Sequence, residues 1–253
     1  MLAEDKDFQY IINKPSYRKR MQDVELALMF CAFCNVRPED YGKSLTQFLN
    51  NDMKENRKIT REKIENIESN FKKSVQLIKH IWGNKAFCVS RIDEKSSKVV
   101  FPSSFNQGLF QILSHCFIEY EYDSILPFSD LIREELINLQ IHNQKFRDTI
   151  TGSGTNSPYN IHMKFHLWKT TLQGLLKYPI HDSKAFSYKN KNKIWKNDSR
   201  CSICSKEIDS IDDAIIDDIT CYWKNKILIS EDSNLTHRLC NMLNLRVRQI
   251  INK

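Results

Sequence analysis

Glycine is scarce, six residues in 253, and none of it forms a Walker-type GxxxxGK[ST] loop, which excludes the commonest backbone cradle for nucleotide phosphates. Long apolar runs are missing as well. The longest, LALMFCAF at Leu26–Phe33, is far shorter than the ~20 residues a bilayer-spanning helix needs. The first twenty residues are charged and offer no apolar h-region, so the chain reads as having no secretory signal. Eight cysteines without an export signal are expected as thiols or metal ligands in a reducing compartment. The expectation is a soluble cytoplasmic protein with no membrane partner. No internal repeat is visible.

The length suits one large domain or two modest ones. A formal net charge of +7 and a pI of about 8.9 suit a polyanionic partner without requiring one. Apolar spacing of three and four predicts helices through most of residues 1–180. In MQDVELALMFCAFC the stripe is Val24, Leu28, Cys31 and Cys34. In TREKIENIESNFKKSVQLIKHIWG, Thr60 caps the helix, Ile64, Ile67, Phe71, Val75, Ile78 and Trp82 line one face, and Gly83 ends it. Pro158 opens a later helix with Ile161, Phe165, Trp168, Leu172 and Leu175 on one side. AFCVS and KVVF read either as short strands or as an extended loop. The CxxC of CAFC lies inside an apolar helix and reads as core thiols. The i, i+4 histidines His162 and His166 lack the glutamate of a metalloprotease motif.

After Tyr178 the composition shifts to lysine and asparagine, which predicts a basic linker over 181–198. Beyond it, Cys201 and Cys204 are matched by His237 and Cys240 at the same two-residue spacing. Thiolates and imidazole are the ligands of closed tetrahedral Zn²⁺ sites, so these four form a candidate Cys₃His set. The β-branched and aromatic runs between the knuckles suit a hairpin, and a helix from about Ser233 would carry His237 and Cys240 one turn apart. The fold class expected is mainly α: a helical domain over 1–180, then a small zinc-stapled ββα domain over 199–253.

Asp217-Asp218-Ile219, Asp232 and LTHRLCN (Leu235–Asn241) resemble the zinc-containing branch of the HNH endonuclease family. That resemblance implies a ββα-metal fold with Asp217 and Asn241 holding a catalytic Mg²⁺ or Mn²⁺. It also exposes departures. The histidine that serves the family as general base is Asp218 here, and the loop asparagine that orients it is Asp232. An ordinary aspartate titrates about 2.6 pH units below an ordinary histidine, a poor match for a base near neutrality. The catalytic set Asp217, Asp218, Asp232 and Asn241 therefore describes a degenerate site that leans towards inactivity. An HNH-type enzyme and a non-catalytic scaffold both stay open.

YRKRMQDVELALMFCAF, SLTQFLNNDM, IWGNKAF and KFRDTITGSGTNSPYNIHMKFHLWKTTL resemble the C-terminal helical half of a bacterial domain-of-unknown-function family. This family includes the GmrS half of GmrSD-type modification-dependent restriction systems. The resemblance implies a role in restriction or phage defence, with DNA as a partner. Members carry an Asp-Gly-x-Gln-Arg motif in a ParB/sulfiredoxin-like nucleotide-hydrolysing domain, and this sequence has none. The implied arrangement is a C-terminal piece paired with a separately encoded N-terminal-half protein, in which this chain is either a DNA-binding HNH-like component or a structural and regulatory subunit. Lys189, Lys191, Lys193, Lys196, Arg200, Arg238, Arg246 and Arg248 are the cations expected to meet DNA phosphates.

Overall fold

The computed structural model describes residues 1–42, 44–93, 95, 98–177, 188–216 and 234–241, with the side chains of 188–190 outside that set. The chain is mainly helical and divides into two compact units: Met1–Val89 with Pro102–Tyr178, and Ser90–Phe101 with Pro179–Lys253.

The first unit contains α1 (Lys6–Ile12), α2 (Pro15–Lys19), α3 (Gln22–Asn35), α4 (Leu45–Glu55), α5 (Arg61–Trp82), α6 (Gln107–Cys116), α7 (Tyr122–Ile125), α8 (Ser129–His142), α9 (Gln144–Thr151) and α10 (Pro158–Leu176). Side chains close the open N–H groups at several starts. Thr60 accepts from Lys63 N–H, Asn106 from Leu109 N–H, and Ser157 from Asn160 N–H ahead of Pro158. Gly83 takes the left-handed φ of 59° that ends α5. Within α5 the stripe Ile67, Phe71, Val75, Ile78 and Trp82 is buried, whereas Ile64, one turn from the start, is 45% exposed. In α10, Ile161, Phe165, Trp168, Leu172 and Leu175 are all buried.

α3 departs from the expected stripe. Val24, Leu28, Cys31 and Cys34 are only half-buried, while Leu26, Met29, Phe30, Ala32 and Phe33 fill the core. The 3–4 spacing of Val24, Leu28 and Cys31 traces the partly exposed side of this helix, next to exposed Glu25, so spacing alone selects the wrong residues. Its rings knit the centre of the unit: Phe30 meets Phe71 edge-on at 5.1 Å, and Phe71 meets Phe8 at 4.9 Å. Cys31 and Cys34 are held as thiols, burial pushing them up to about 11 and about 12. Among the described residues no helix is long and apolar enough to cross a membrane.

The second unit begins inside the helical sequence. β1 (Arg91–Ile92) and β2 (Val99–Val100) pair antiparallel, Arg91 opposite Val100; KVVF holds β2, but β1 lies in the polar RIDEKSS segment rather than in AFCVS, where Cys88 instead makes an isolated bridge to Phe105. The stretch expected as a basic linker contains a ten-residue helix, α11 (Tyr188–Asn197). Trp195 Nε1 donates to the Ile208 carbonyl at 2.8 Å, and buried Lys191 donates from Nζ to the Ala214 carbonyl at 2.9 Å. Two anchors one turn apart turn this lysine-rich segment into part of the unit.

One buried charge in the helical unit has a measurable cost. Lys164 on α10 is fully buried and donates to the Thr155 carbonyl at 2.9 Å. Burial lowers its pKa from 10.5 to about 7. The unfolded chain therefore binds more protons between those values, and stability rises with pH across that window. Below it the full penalty applies, and above it the penalty vanishes. Lys164→Met is expected to flatten this rise and to stabilise the protein by about 1–2 kcal/mol near pH 6, as read from denaturant midpoints at several pH values.

Candidate metal centre

The centre starts from a tight turn. Cys201 N–H donates to the Lys206 carbonyl at 2.9 Å, and Ser205 N–H returns to the Cys201 carbonyl at 2.8 Å. Ser205 takes a left-handed φ of 59° to close the loop. Cys201 and Cys204 thus sit on one knuckle. β3 (Ala214–Ile216) and β4 (Leu235–His237) pair antiparallel with Ala214 opposite His237. Ser202 N–H donates to the Leu235 carbonyl at 2.9 Å, which fastens the knuckle to β4.

The expectation of a helix from Ser233 is corrected here. Leu235, Thr236 and His237 are strand, and the helical turn occupies 238–241. All six β3 and β4 residues are buried, and buried backbone groups need partners, which pairing with β3 supplies. His237 therefore ends a strand and Cys240 lies in the first helical turn. Both ligands still converge on the knuckle.

The ligand atoms of Cys201, Cys204, His237 and Cys240 lie within 4.8 Å of one another. His237 Nδ1 is 3.4 Å from Cys204 Sγ and 3.8 Å from Cys240 Sγ. A tetrahedral Zn²⁺ with its usual bond lengths separates sulfur from nitrogen by about 3.5 Å and sulfur from sulfur by about 3.8 Å. The donor set and its spacing can hold a metal such as zinc. The tautomer fits too: His237 Nε2 lies 3.1 Å from the Glu207 carbonyl, which only accepts, so Nε2 carries the proton and Nδ1 faces the sulfurs with its lone pair.

The titration of the thiols suits a site that could hold a cation. Burial pushes Cys201 up, but N–H groups of Cys204, His237 and Ile203 outweigh it and draw the group below its ordinary range. Cys240 goes the other way, raised by burial and by the two neighbouring sulfurs. Three sulfurs this close cannot all ionise by themselves, whereas a bound divalent ion inverts the balance.

Around the cluster lies a support that the sequence did not disclose. Asp213 is 1% exposed; its Oδ1 accepts from Val99 N–H at 3.1 Å, and its carbonyl accepts from Arg238 N–H at 2.9 Å. Burial raises its carboxyl despite Val99 N–H, His237 and Arg238 nearby. Lys98 pairs with Asp209. One acid thus joins the β1–β2 hairpin to the strand–helix junction carrying His237. It was hidden within the acidic run DSIDDAIIDD, where nothing marks one aspartate as buried.

The other expected site residues divide. Asn241 is 4% exposed and donates from Nδ2 to Thr236 Oγ1 at 3.3 Å, beside Cys240. Lys193, Lys196 and Arg200 are exposed. Lys191 and Arg238 are buried instead, with Lys191 Nζ on the Ala214 carbonyl and Arg238 Nε on the Asp212 carbonyl, so both serve the unit's interior rather than a phosphate surface. Asp217, Asp218, Asp232, Arg246, Arg248 and the side chain of Lys189 lie outside the described residues.

Cys204 is exposed, so Cys204→Ser removes almost no packing, and its effect should run through the metal. The variant is expected to lose at least about tenfold in metal affinity and, in hydrogen exchange, to lose protection at the β3–β4 amides while α5 and α10 keep theirs. Asp213→Ala should cost the second unit about 1–3 kcal/mol, read as faster exchange at Val99 N–H. Compared with protein-family models, curated proteins and solved structures, the chain matches none of them.

Proposed function

We propose that the second unit is a zinc-clipped ββα module of the HNH endonuclease type that binds DNA within a cytoplasmic bacterial restriction or phage-defence system. The observation that carries this reading is the position of Asn241. It is buried in the helical turn directly after the ligand Cys240, its amide nitrogen held by Thr236 on β4. β3 runs through Ile216, so Asp217 is the next residue in the chain. An acid following one strand and an amide following the zinc ligand is the order a ββα-metal site needs. Asp217 and Asn241 would supply the oxygen donors that Mg²⁺ or Mn²⁺ prefers. Such an ion would act as a Lewis acid towards a phosphodiester.

The general base is the weak point. Asp218 stands where an imidazole is needed and Asp232 where its orienting amide is needed, so the module holds DNA better than it cuts it. These two replacements favour a second reading, in which the chain is a non-catalytic subunit of a GmrS-like assembly. A separately encoded ParB/sulfiredoxin-like protein would then hydrolyse the nucleotide.

Nicking of supercoiled plasmid with Mn²⁺ separates the two. The first reading expects weak nicking that Asp217→Ala abolishes and Asp218→His raises; equal nicking by wild type and Asp217→Ala would refute it. DNA binding is checked apart from cleavage by gel shifts across a salt series. Replacing Lys193 and Lys196 with alanine should weaken binding of any sequence and reduce the salt slope by about 2. An unchanged slope would remove this face from the interface.

A further inference from the structure

Acidic residues occupy 31 of the 253 positions, about one in eight. Against that spacing, residues 8–22, 69–92 and 95–118 contain none at all. Pieces of these three stretches meet on the surface of the helical unit: 13–21 around α2, 84–88 after α5, and 102–106 before α6. Lys14 donates from Nζ to the Ser103 carbonyl, and Tyr17 packs edge-on against Phe105 at 5.4 Å. Asn106 N–H reaches the Phe87 carbonyl at 2.8 Å.

α2 has no buried residue. Five residues are too few for a helix to be stable alone, so the Lys14 and Tyr17 anchors hold it. What it presents outward is charge. Arg18, Lys19 and Arg20 are exposed, and among the described residues none of the three forms an ion pair. The acids that flank the segment are engaged elsewhere, Asp7 with Lys79 at 2.7 Å and buried Asp23 with Gln9 Nε2 at 2.8 Å. Glu25 is exposed on α3 but bridges to none of the three. Like charges crowded together repel, and the fold supplies no paired carboxylate to offset this. Lys14 and exposed Lys85 strengthen the field: both pull on the Cys88 thiol, although burial outweighs them and pushes it up.

Exposed Asn84, Ser103 and Ser104 belong to the same surface. Arginine and lysine together with serine and asparagine are the side chains that grip the phosphates and sugars of a duplex. A lipid surface takes up an apolar face instead. Here the Tyr17 ring is turned onto Phe105, and Met21 is a single exposed apolar side chain. We propose that this face of the helical unit, centred on Arg18, Lys19 and Arg20, is a second DNA contact that grips duplex phosphates irrespective of sequence. That the polyanion is DNA rests on the reading of the second unit given above; the face itself uses none of that unit's residues.

Fluorescence anisotropy of the full chain with a labelled duplex of arbitrary sequence, across a KCl series, tests it. Arg18→Gln, Lys19→Gln and Arg20→Gln combined are expected to weaken binding at least about tenfold near 0.1 M salt. The log–log salt slope should fall by about 2–3, close to one per lost phosphate contact. These side chains are exposed and α2 buries nothing, so the melting curve should not move. Lys54→Gln, Arg57→Gln and Lys58→Gln combined remove the same charge from exposed positions around the α4–α5 turn and should leave the slope near wild type. The Lys193→Ala, Lys196→Ala protein keeps the two readings apart. A lower slope there alone would sink this inference and spare that one, and a lower slope in the α2 variant alone would do the reverse. No duplex binding by wild type, or an equal loss in the α4–α5 control, would overturn the proposal. So would an unchanged slope in the α2 variant, and a simultaneous loss of binding to phosphatidylserine vesicles would then reassign the face to lipid.

Discussion

Three sulfurs and an imidazole nitrogen gathered within 4.8 Å set the constraint on which the second unit depends. Cys201 and His237 are 36 residues apart in the chain, yet His237 N–H lies 3.4 Å from the Cys201 sulfur. Holding them together means closing a long loop, and among the described residues the apolar return is two three-residue strands and a few side chains such as Ile208. Small metal-stapled modules meet this deficit with coordination, which in zinc-finger peptides contributes about 10–16 kcal/mol. The surrounding hydrogen bonds serve that end. Glu207 sets the His237 tautomer, Ser202 ties the knuckle to β4, and Asp213 brings in the hairpin.

The helical unit is governed by a different balance. Its centre is a mesh of phenylalanine rings packed between α1, α3, α5 and α6, and apolar burial needs no metal to succeed. It can therefore carry a local cost such as fully buried Lys164. Polar groups buried at a cost within an otherwise well-packed core are where a structure stores specificity or function.

Much of this was legible in the sequence wherever one local rule dominated. The capped stripe of α5 and the Pro158-initiated face of α10 follow from spacing and end signals, and the Cys201, Cys204, His237 and Cys240 cluster that could hold a metal follows from matched knuckles. Legibility failed wherever tertiary context outweighed local pattern. α3 is apolar nearly all round, so its spacing pointed to Leu28 on the partly exposed side rather than to the buried Met29 and Phe30. Leu235–His237 has a helical offset to Cys240 but is drawn into β4 by the partner strand. Lys191 and Arg238 look like surface cations in the sequence and are buried because carbonyls at Ala214 and Asp212 receive them. The hairpin at 90–101 belongs with residues more than a hundred positions later, as Val99 and Asp213 show, and no local signal encodes such a partnership.

X-ray absorption at the zinc edge on the purified full chain tests the central claim most directly. The account predicts one tightly held zinc with three sulfur neighbours at about 2.3 Å and one nitrogen at about 2.0–2.1 Å. A shell dominated by oxygen and nitrogen, or a chain that holds no metal while β3 and β4 stay paired, would contradict it.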